Sequence, residues 1–196
     1  MKEIDRRRKF SRRRIESLVN SLTDAAPIIS GKACVYLTGS LGREEAGKAS
    51  DLDLFIVGAS GGEAEICLKA ELIRAVRKLQ FPEFSGDGEY LQFHTIDELV
   101  GGLGTSTDDS QNTFTARLLL VLESRCLLGD EIYKKAIDSV LAKYWRDFAD
   151  HAENFAPAFL ANDILRLWRT LCVNYEARTE TEPPEKKRGA RLKITS

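Results

Sequence analysis

Two aspartates that stand two positions apart, Asp51 and Asp53, are the residues of this chain with the clearest capacity for chemistry. They precede the apolar run 54–57, and on an extended strand residues i and i+2 lie on one face. Their negative charges would repel one another unless a cation lay between them. Magnesium suits such a site, because it prefers oxygen ligands, accepts one or two carboxylates and keeps other positions for phosphates and water.

A turn of small residues comes shortly before the acid pair. Gly39 and Ser40 follow the apolar run 33–37. Gly39 allows a phosphate to approach the backbone, and Ser40 offers a hydroxyl and an N–H to it. An isolated Asp-x-Asp would more simply be the start of a surface strand, so it is the combination with this turn that favours a metal site. The combination predicts nucleotidyl transfer from a nucleoside triphosphate.

The segment 37–56 resembles the signature of nucleotidyltransferases of the DNA polymerase beta superfamily, in which Gly-Ser is followed by Asp-x-Asp. It is most similar to the bacterial uridylyltransferases that modify the nitrogen-regulatory signalling protein, and to uncharacterised relatives. These carry Gly-x-x-Gly-Arg-x-Glu, a short spacer and Ser-Asp-x-Asp. The residues that fill this pattern are Gly39, Gly42, Arg43, Glu45, Ser50, Asp51 and Asp53.

A second stretch also resembles that group. Residues 122–130, together with Thr115 to Arg117, are similar to its Leu-Glu-x-Arg-x-Leu-x-Gly-Asp helix end. The similarity as a whole spans residues 30–135.

The resemblance implies nucleotide-binding roles for four residues. Gly39 and Ser40 are expected to contact the phosphates of an NTP such as ATP. Arg43 is expected either to pair with a phosphate or to lock the loop through Glu45. Ser50 is grouped with the nucleotide-binding residues, although its simplest role is to cap the turn before the strand.

The resemblance also implies a catalytic metal, Mg²⁺ or Mn²⁺, at Asp51 and Asp53. Members of the superfamily usually have a third carboxylate on the neighbouring strand, which binds the catalytic metal and in some members acts as general base for the acceptor. Glu89 is expected to fill this role, and Asp87 is the alternative. If neither acid reaches the pair, the domain would bind a nucleotide without turning it over.

Three other features carry weaker functional interpretations. His94 is either part of a base- or acceptor-binding site or, more simply, a packed strand residue. Residues 146–151 spell Arg-x4-His, which resembles the catalytic motif of the HEPN ribonucleases but is short enough to arise by chance. Arg166 and Arg169 flank Trp168, either as exposed arginines on a packed helix or at the border of the nucleotide cleft.

Composition excludes several classes of protein. The 196 residues are 43% hydrophobic, which is enough for a packed core and unlike a disordered chain. Apolar runs are all far shorter than a membrane span, and the charged start has no secretory signal. The four scattered cysteines predict buried thiols in a cytoplasmic protein rather than disulfides or a zinc site.

The charge is distributed unevenly along the chain. Residues 1–20 carry a net charge of +5 and residues 178–196 carry +3, so the intervening body carries −9. Basic ends could contact nucleic acid or an acidic partner, although solvated helix faces are the simpler explanation. Phe10 is the single aromatic residue among the N-terminal arginines, which weakens the case for stacking of single-stranded nucleic acid.

Hydrophobic periodicity predicts an α+β fold, with a small mixed β-sheet flanked by helices and followed by an α-helical segment. Strands are predicted at 33–37, 51–57 and 90–95, and helices at 3–23, 63–79, 96–100, 114–127, 131–148 and 159–178. Residues 103–112 are expected to be a mobile connection. The predicted domains are a nucleotidyltransferase core with an N-terminal basic helix (1–110), a helical segment (111–178) and a polar basic tail (179–196) that is disordered alone.

The resemblance therefore predicts an enzyme that transfers an NMP to a hydroxyl on a protein or a small molecule. No membrane is expected among its partners. The alternative is an inactive nucleotide- or partner-binding module of a regulatory, toxin–antitoxin or defence system. RNA terminal nucleotide addition is a third hypothesis, supported by the basic ends alone. The chain is also expected to be the first part of a longer protein and, through its helical segment, a homodimer.

Overall fold

The computed structural model describes residues 2–48, 50–58, 63–81 and 91–180. The chain divides into two compact units, Met1–Lys143 and Tyr144–Ser196. The helices are α1 (Lys2–Ser21), α2 (Ala26–Ile29), α3 (Gly39–Gly42), α4 (Glu63–Lys78), α5 (Ile96–Gly101), α6 (Thr107–Ser110), α7 (Thr113–Glu123), α8 (Asp130–Tyr144) and α9 (Ala158–Thr179). The strands are β1 (Ala33–Leu37), β2 (Leu54–Gly58), β3 (Phe93–His94) and β4 (Arg125–Leu128).

The four strands form one mixed sheet in the order β3-β2-β1-β4. Strand β1 is antiparallel to both β2 and β4, and β2 is parallel to β3. Leu37 pairs with Leu54, so the end of β1 lies beside the start of β2. The predicted α+β class with a small mixed sheet is confirmed.

Helices cover both faces of the sheet. On one face, Val35 and Ile56 belong to a core with the apolar residues of α1, α2 and α4. On the other face, Tyr36 stacks on Phe55 with ring centroids 5.4 Å apart, and its hydroxyl donates to the Ala116 carbonyl of α7 at 3.0 Å. Successive side chains of β1 point to opposite faces of the sheet, so α7 packs on the face that carries the side chains of Tyr36 and Phe55.

Several predicted element bounds are wrong. Strand β2 begins at Leu54 rather than Asp51, and β3 contains two residues because Thr95 already caps α5. The helix predicted over 114–127 ends at Glu123, and the chain continues as β4. The segment 111–178 is therefore not wholly helical, although the domain boundary near residue 110 stays a prediction.

Residues 103–112 are not a structureless connection. They contain α6, whose Asp108 is fully buried and forms an ion pair with the equally buried Arg117 at 2.5 Å. Arg117 also donates to the Leu99 carbonyl at 3.0 Å, and Thr113 donates to Asp108 at 2.8 Å. One buried polar network thus joins α5, α6 and α7.

The cysteines are free thiols, as expected, but they are not all buried. Cys34, on β1, is buried, whereas Cys67, on α4, is exposed. In the described part of the chain, no helix combines the length and the apolar character that crossing a membrane requires.

Candidate active site

The turn after β1 brings a glycine against one of the two predicted metal ligands. Gly39 has a φ of +65°, in the left-handed region that favours glycine. A Cβ at Gly39 would lie only 2.6 Å from Oδ2 of Asp53. The N–H of Thr38 donates to the Asp53 carbonyl at 3.1 Å, so the backbone pairing of β1 with β2 extends to residues 38 and 53. The left-handed φ therefore favours glycine at residue 39, and a Cβ there would also require the end of the Asp53 side chain to shift.

The acid pair is poised to attract a cation. Asp51 is exposed and Asp53 is half-buried, and in the described part of the chain neither carboxylate accepts a hydrogen bond or forms an ion pair. Burial, together with the neighbouring charges of Asp51 and Glu123, raises the pKa of Asp53 to about 6, although the Arg43 guanidinium opposes this rise. At neutral pH two uncompensated carboxylates therefore lie near each other beside the turn.

A third carboxylate, Glu123 at the end of α7, contacts the same turn. Its Oε1 accepts a hydrogen bond from the Gly39 N–H at 2.9 Å, and its Oε2 pairs with Nη1 of Arg43. Glu123 belongs to the second motif of the resemblance, residues 122–130, for which no role in the site was predicted. The motif was the one feature of the sequence that could have identified it.

Arg43 is held from two sides. Its Nε donates to Glu45 at 3.1 Å, and its Nη1 is bound by Glu123. The predicted locking of the loop through Glu45 is thus present in the structure. The alternative role, in which Arg43 pairs with a phosphate, stays a prediction.

The chain after the turn is fixed by α1 and β4. Glu44 accepts from Arg12 at 2.9 Å and pairs with Arg125 at 2.5 Å. The hydroxyl of Ser11 accepts from the Ala46 N–H at 3.0 Å. Both basic residues of these pairs come from distant parts of the chain, so the loop is a defined part of the fold.

Two serines of the predicted site differ in their contacts. The Ser50 hydroxyl accepts from the Gly47 N–H at 2.9 Å, which is the capping contact expected of it. Among the described residues, the Ser40 hydroxyl has no hydrogen-bond partner, and the buried hydroxyl of Thr38 beneath the turn has none either. The half-buried Ser40 hydroxyl therefore remains available to a ligand, whereas the Thr38 hydroxyl is enclosed in the protein.

The two acids proposed as the third metal ligand, Glu89 and Asp87, lie outside the described residues. His94 lies on β3 beside Val57, toward the end of β2 that is farther from Asp53. It is 3% exposed, its Nε2 has no partner in the described chain, and burial lowers its pKa. His94 is thus a packed, neutral histidine in this structure.

The remaining residues singled out by the sequence belong to the second unit. Arg146 pairs with Asp147 at 3.5 Å, and its guanidinium lies 5.6 Å from the ring centre of Phe159. His151 lines a cavity of about 500 Å³ whose wall also contains acidic and aromatic side chains. Arg166 lies 3.9 Å from Asp163. The ribonuclease motif and the cleft role of Arg166 and Arg169 stay untested interpretations.

The donor set at the turn fits a small divalent cation that is shared with a phosphate ligand. Among the residues that the structure describes, no group of three or more His, Cys, Asp or Glu side chains is arranged to hold a metal ion. Asp51 and Asp53 supply two carboxylates, which is the usual protein share of a Mg²⁺ site completed by phosphates and water.

Residues 15–100 match the model of the family described as "Nucleotidyltransferase domain". This segment contains the turn, both aspartates, Arg43 and Ser50, and the match supports the nucleotidyltransferase superfamily. It does not extend to the narrower resemblance to the uridylyltransferases, which stays a prediction. No curated protein and no solved structure matches the chain significantly.

Proposed function

We propose that this chain, through the nucleotidyltransferase domain matched at residues 15–100, moves an NMP from an NTP to a hydroxyl acceptor. In this proposal Asp51 and Asp53 hold Mg²⁺ or Mn²⁺ together with the triphosphate. The observation that carries the proposal is the contact of Asp53 with Gly39, because it places an uncompensated carboxylate against a turn with free polar groups.

The proposed reaction is a displacement at phosphorus. The acceptor oxygen forms a bond to the α-phosphorus, and the bond from that phosphorus to the oxygen bridging to the β-phosphate breaks. Pyrophosphate leaves with the electron pair, and the acceptor proton passes to a carboxylate or to water. A divalent cation, when bound, would neutralise the negative charge that develops on the phosphate oxygens.

The chain's own residues have distinct roles in this proposal. Ser40 donates its N–H and hydroxyl to the phosphates, and Gly39 allows the close approach. Arg43 presents to a phosphate its Nη2 group, which its two carboxylate partners leave free. Ser50 keeps the loop before the acid pair closed through Gly47. Glu89, or Asp87, completes the metal site or serves as general base.

The acceptor is proposed from the resemblance. If the uridylyltransferase likeness extends to the substrate, the acceptor is a Tyr, Ser or Thr hydroxyl of a protein. The exposed arginines of α1 would equally suit a nucleic-acid acceptor, which has less support because no RNA-binding motif accompanies them. The free thiols support a cytoplasmic location, and homodimer formation remains part of the proposal.

A second function follows if neither Glu89 nor Asp87, which lie outside the described residues, reaches the acid pair. Glu123 is already engaged by Gly39 and Arg43. A domain in this state would bind a nucleotide or a partner without turnover, as in a regulatory or toxin–antitoxin module. The two functions share the nucleotide site and differ in the release of pyrophosphate.

Thermal denaturation with each of the four NTPs and Mg²⁺ tests the shared part of the proposal. A ligand at about a hundred times its Kd stabilises the folded state by about 2.7 kcal/mol, so the melting temperature should rise with the preferred NTP. The double variant Asp51→Ala, Asp53→Ala should lose this rise. Asp138→Ala, which removes an exposed acid from α8, should retain it. No rise with any NTP would contradict the proposal.

A further inference from the structure

We propose that Glu123 is a positioning residue for nucleotide binding, which holds the Gly39 turn and the Arg43 guanidinium in the orientation that receives the triphosphate. This inference rests on the proposed function, since it assigns a role at the same site. Glu123 reaches the site from the end of α7, beyond the segment that the family match covers.

The Glu123 carboxylate binds the two groups of the turn with its two oxygens. One oxygen accepts the backbone N–H of Gly39 at 2.9 Å, and the other pairs with Nη1 of Arg43. Thr38, which precedes the short helix α3, makes no capping hydrogen bond with its side chain. Glu123 therefore supplies from another part of the chain the acceptor that the first N–H of α3 would otherwise lack.

The backbone of Glu123 is also fixed against the turn. A Cβ at Gly42 would overlap the carbonyl oxygen of Glu123, so the last residue of α3 packs directly on the end of α7. About two turns of helix away, α7 is held by the buried Arg117–Asp108 pair and by the hydroxyl of Tyr36. The carboxylate thus projects from a rigid element, as a residue that orients others requires.

The arrangement leaves part of Arg43 available. Glu45 binds Nε and Glu123 binds Nη1, while Nη2 has no hydrogen-bond or ion-pair partner among the described residues. An arginine whose Nε and Nη1 are already held by two carboxylates loses little side-chain entropy when its Nη2 binds a phosphate. Loss of Glu123 should therefore weaken nucleotide binding through Arg43.

A double-mutant cycle tests this coupling. The dissociation constant of a nonhydrolysable NTP with Mg²⁺ is measured for the wild type, Glu123→Gln, Arg43→Gln and the double variant. Glutamine can still accept from the Gly39 N–H, so Glu123→Gln mainly removes the charged contact with Arg43. We expect the single variant to bind the NTP about tenfold more weakly, the scale of one charge-assisted hydrogen bond. In the Arg43→Gln background, the same change should weaken binding less than about threefold.

A matched control separates positioning from general loss of an ion pair. Glu71→Gln removes the carboxylate that pairs with Arg74 on α4 and should leave the dissociation constant within about twofold of the wild type. Wild-type affinity in Glu123→Gln, or an equal loss with and without Arg43, would overturn the inference while leaving the proposed function intact. Tighter binding would also overturn it, since the carboxylate would then compete with the phosphate. Absence of NTP binding by the wild type would overturn both.

Discussion

The carboxylate of Asp53 lies against the backbone of Gly39, with Oδ2 2.6 Å from the point that a Cβ on residue 39 would occupy. This contact joins the end of β1 to the approach of β2 and places the proposed metal ligand beside the proposed phosphate-binding turn. A Cβ on residue 39 would therefore require the end of the Asp53 side chain to shift, in addition to the strain of a left-handed φ.

Gly39→Ala should therefore destabilise the protein and impair nucleotide binding together. The left-handed φ alone costs a residue with a Cβ about 1–2 kcal/mol, and the Cβ would also displace the Asp53 carboxylate from its position beside the turn. Urea denaturation gives the free energy of unfolding, and calorimetric titration with Mg²⁺·NTP gives the affinity.

Gly31→Ala is the matched control for this variant. Gly31 has a φ of +66°, but a Cβ there would meet nothing within 4 Å. It should incur the backbone penalty alone and retain full nucleotide affinity. Equal destabilisation by the two substitutions would show that Asp53 does not constrain residue 39.

The turn and the acid pair could be identified from sequence because local features define them. The apolar run Ala33–Leu37 forms β1 with the predicted bounds, and the small residues after it form the predicted turn. Asp51 and Asp53 were predicted to lie close together, and the electrostatic effect of Asp51 on the pKa of Asp53 agrees with that prediction. Short spacings within one motif were sufficient for these conclusions.

The contribution of the chain beyond residue 110 could not be predicted in the same way. An apolar run of this length is compatible with helix or strand, and pairing of β4 with β1 is what ends α7 at Glu123. The contact between Glu123 and Gly39 spans 84 positions, which no periodicity within one sequence reveals. The buried state of Asp108 was missed for the same reason, because its partner Arg117 lies on another helix.

The raised pKa of Asp53 predicts a specific pH dependence of stability in metal-free buffer. The folded carboxyl titrates at about 6 and an unfolded one at about 3.9, so the folded state binds the proton more tightly. Its contribution to stability is fully present below pH 4 and is lost as the pH rises toward 6. Asp53→Asn should therefore gain stability relative to the wild type over this range and keep a constant advantage above it.

Urea denaturation of both proteins at several pH values between 4 and 8, with a chelator present, measures this difference. Titrating groups that do not interact with Asp53 behave alike in the two proteins and cancel in the comparison. A difference that stays constant with pH, or that favours the wild type as the pH rises, would show that Asp53 ionises normally.

The buried pair of Asp108 and Arg117 should be essential for the folding of the first unit. Asp108→Ala removes the carboxylate that pairs with a fully buried guanidinium, which should lower the free energy of unfolding by about 3–5 kcal/mol. Asp130→Ala breaks an ion pair with Lys134 whose side chains are 66% and 69% exposed, and should cost less than about 1 kcal/mol. Similar losses in the two variants would contradict the importance of the buried network.

The central claim is that Asp51 and Asp53 bind a divalent cation jointly with an NTP. Electron paramagnetic resonance of Mn²⁺ tests it directly, because free and protein-bound ions give distinct spectra. The account predicts weak binding of Mn²⁺ alone, much tighter binding when a nonhydrolysable NTP is added, and loss of the ternary signal in the double variant Asp51→Asn, Asp53→Asn. A double variant that binds Mn²⁺ and the NTP as the wild type does would place the nucleotide elsewhere and contradict the account.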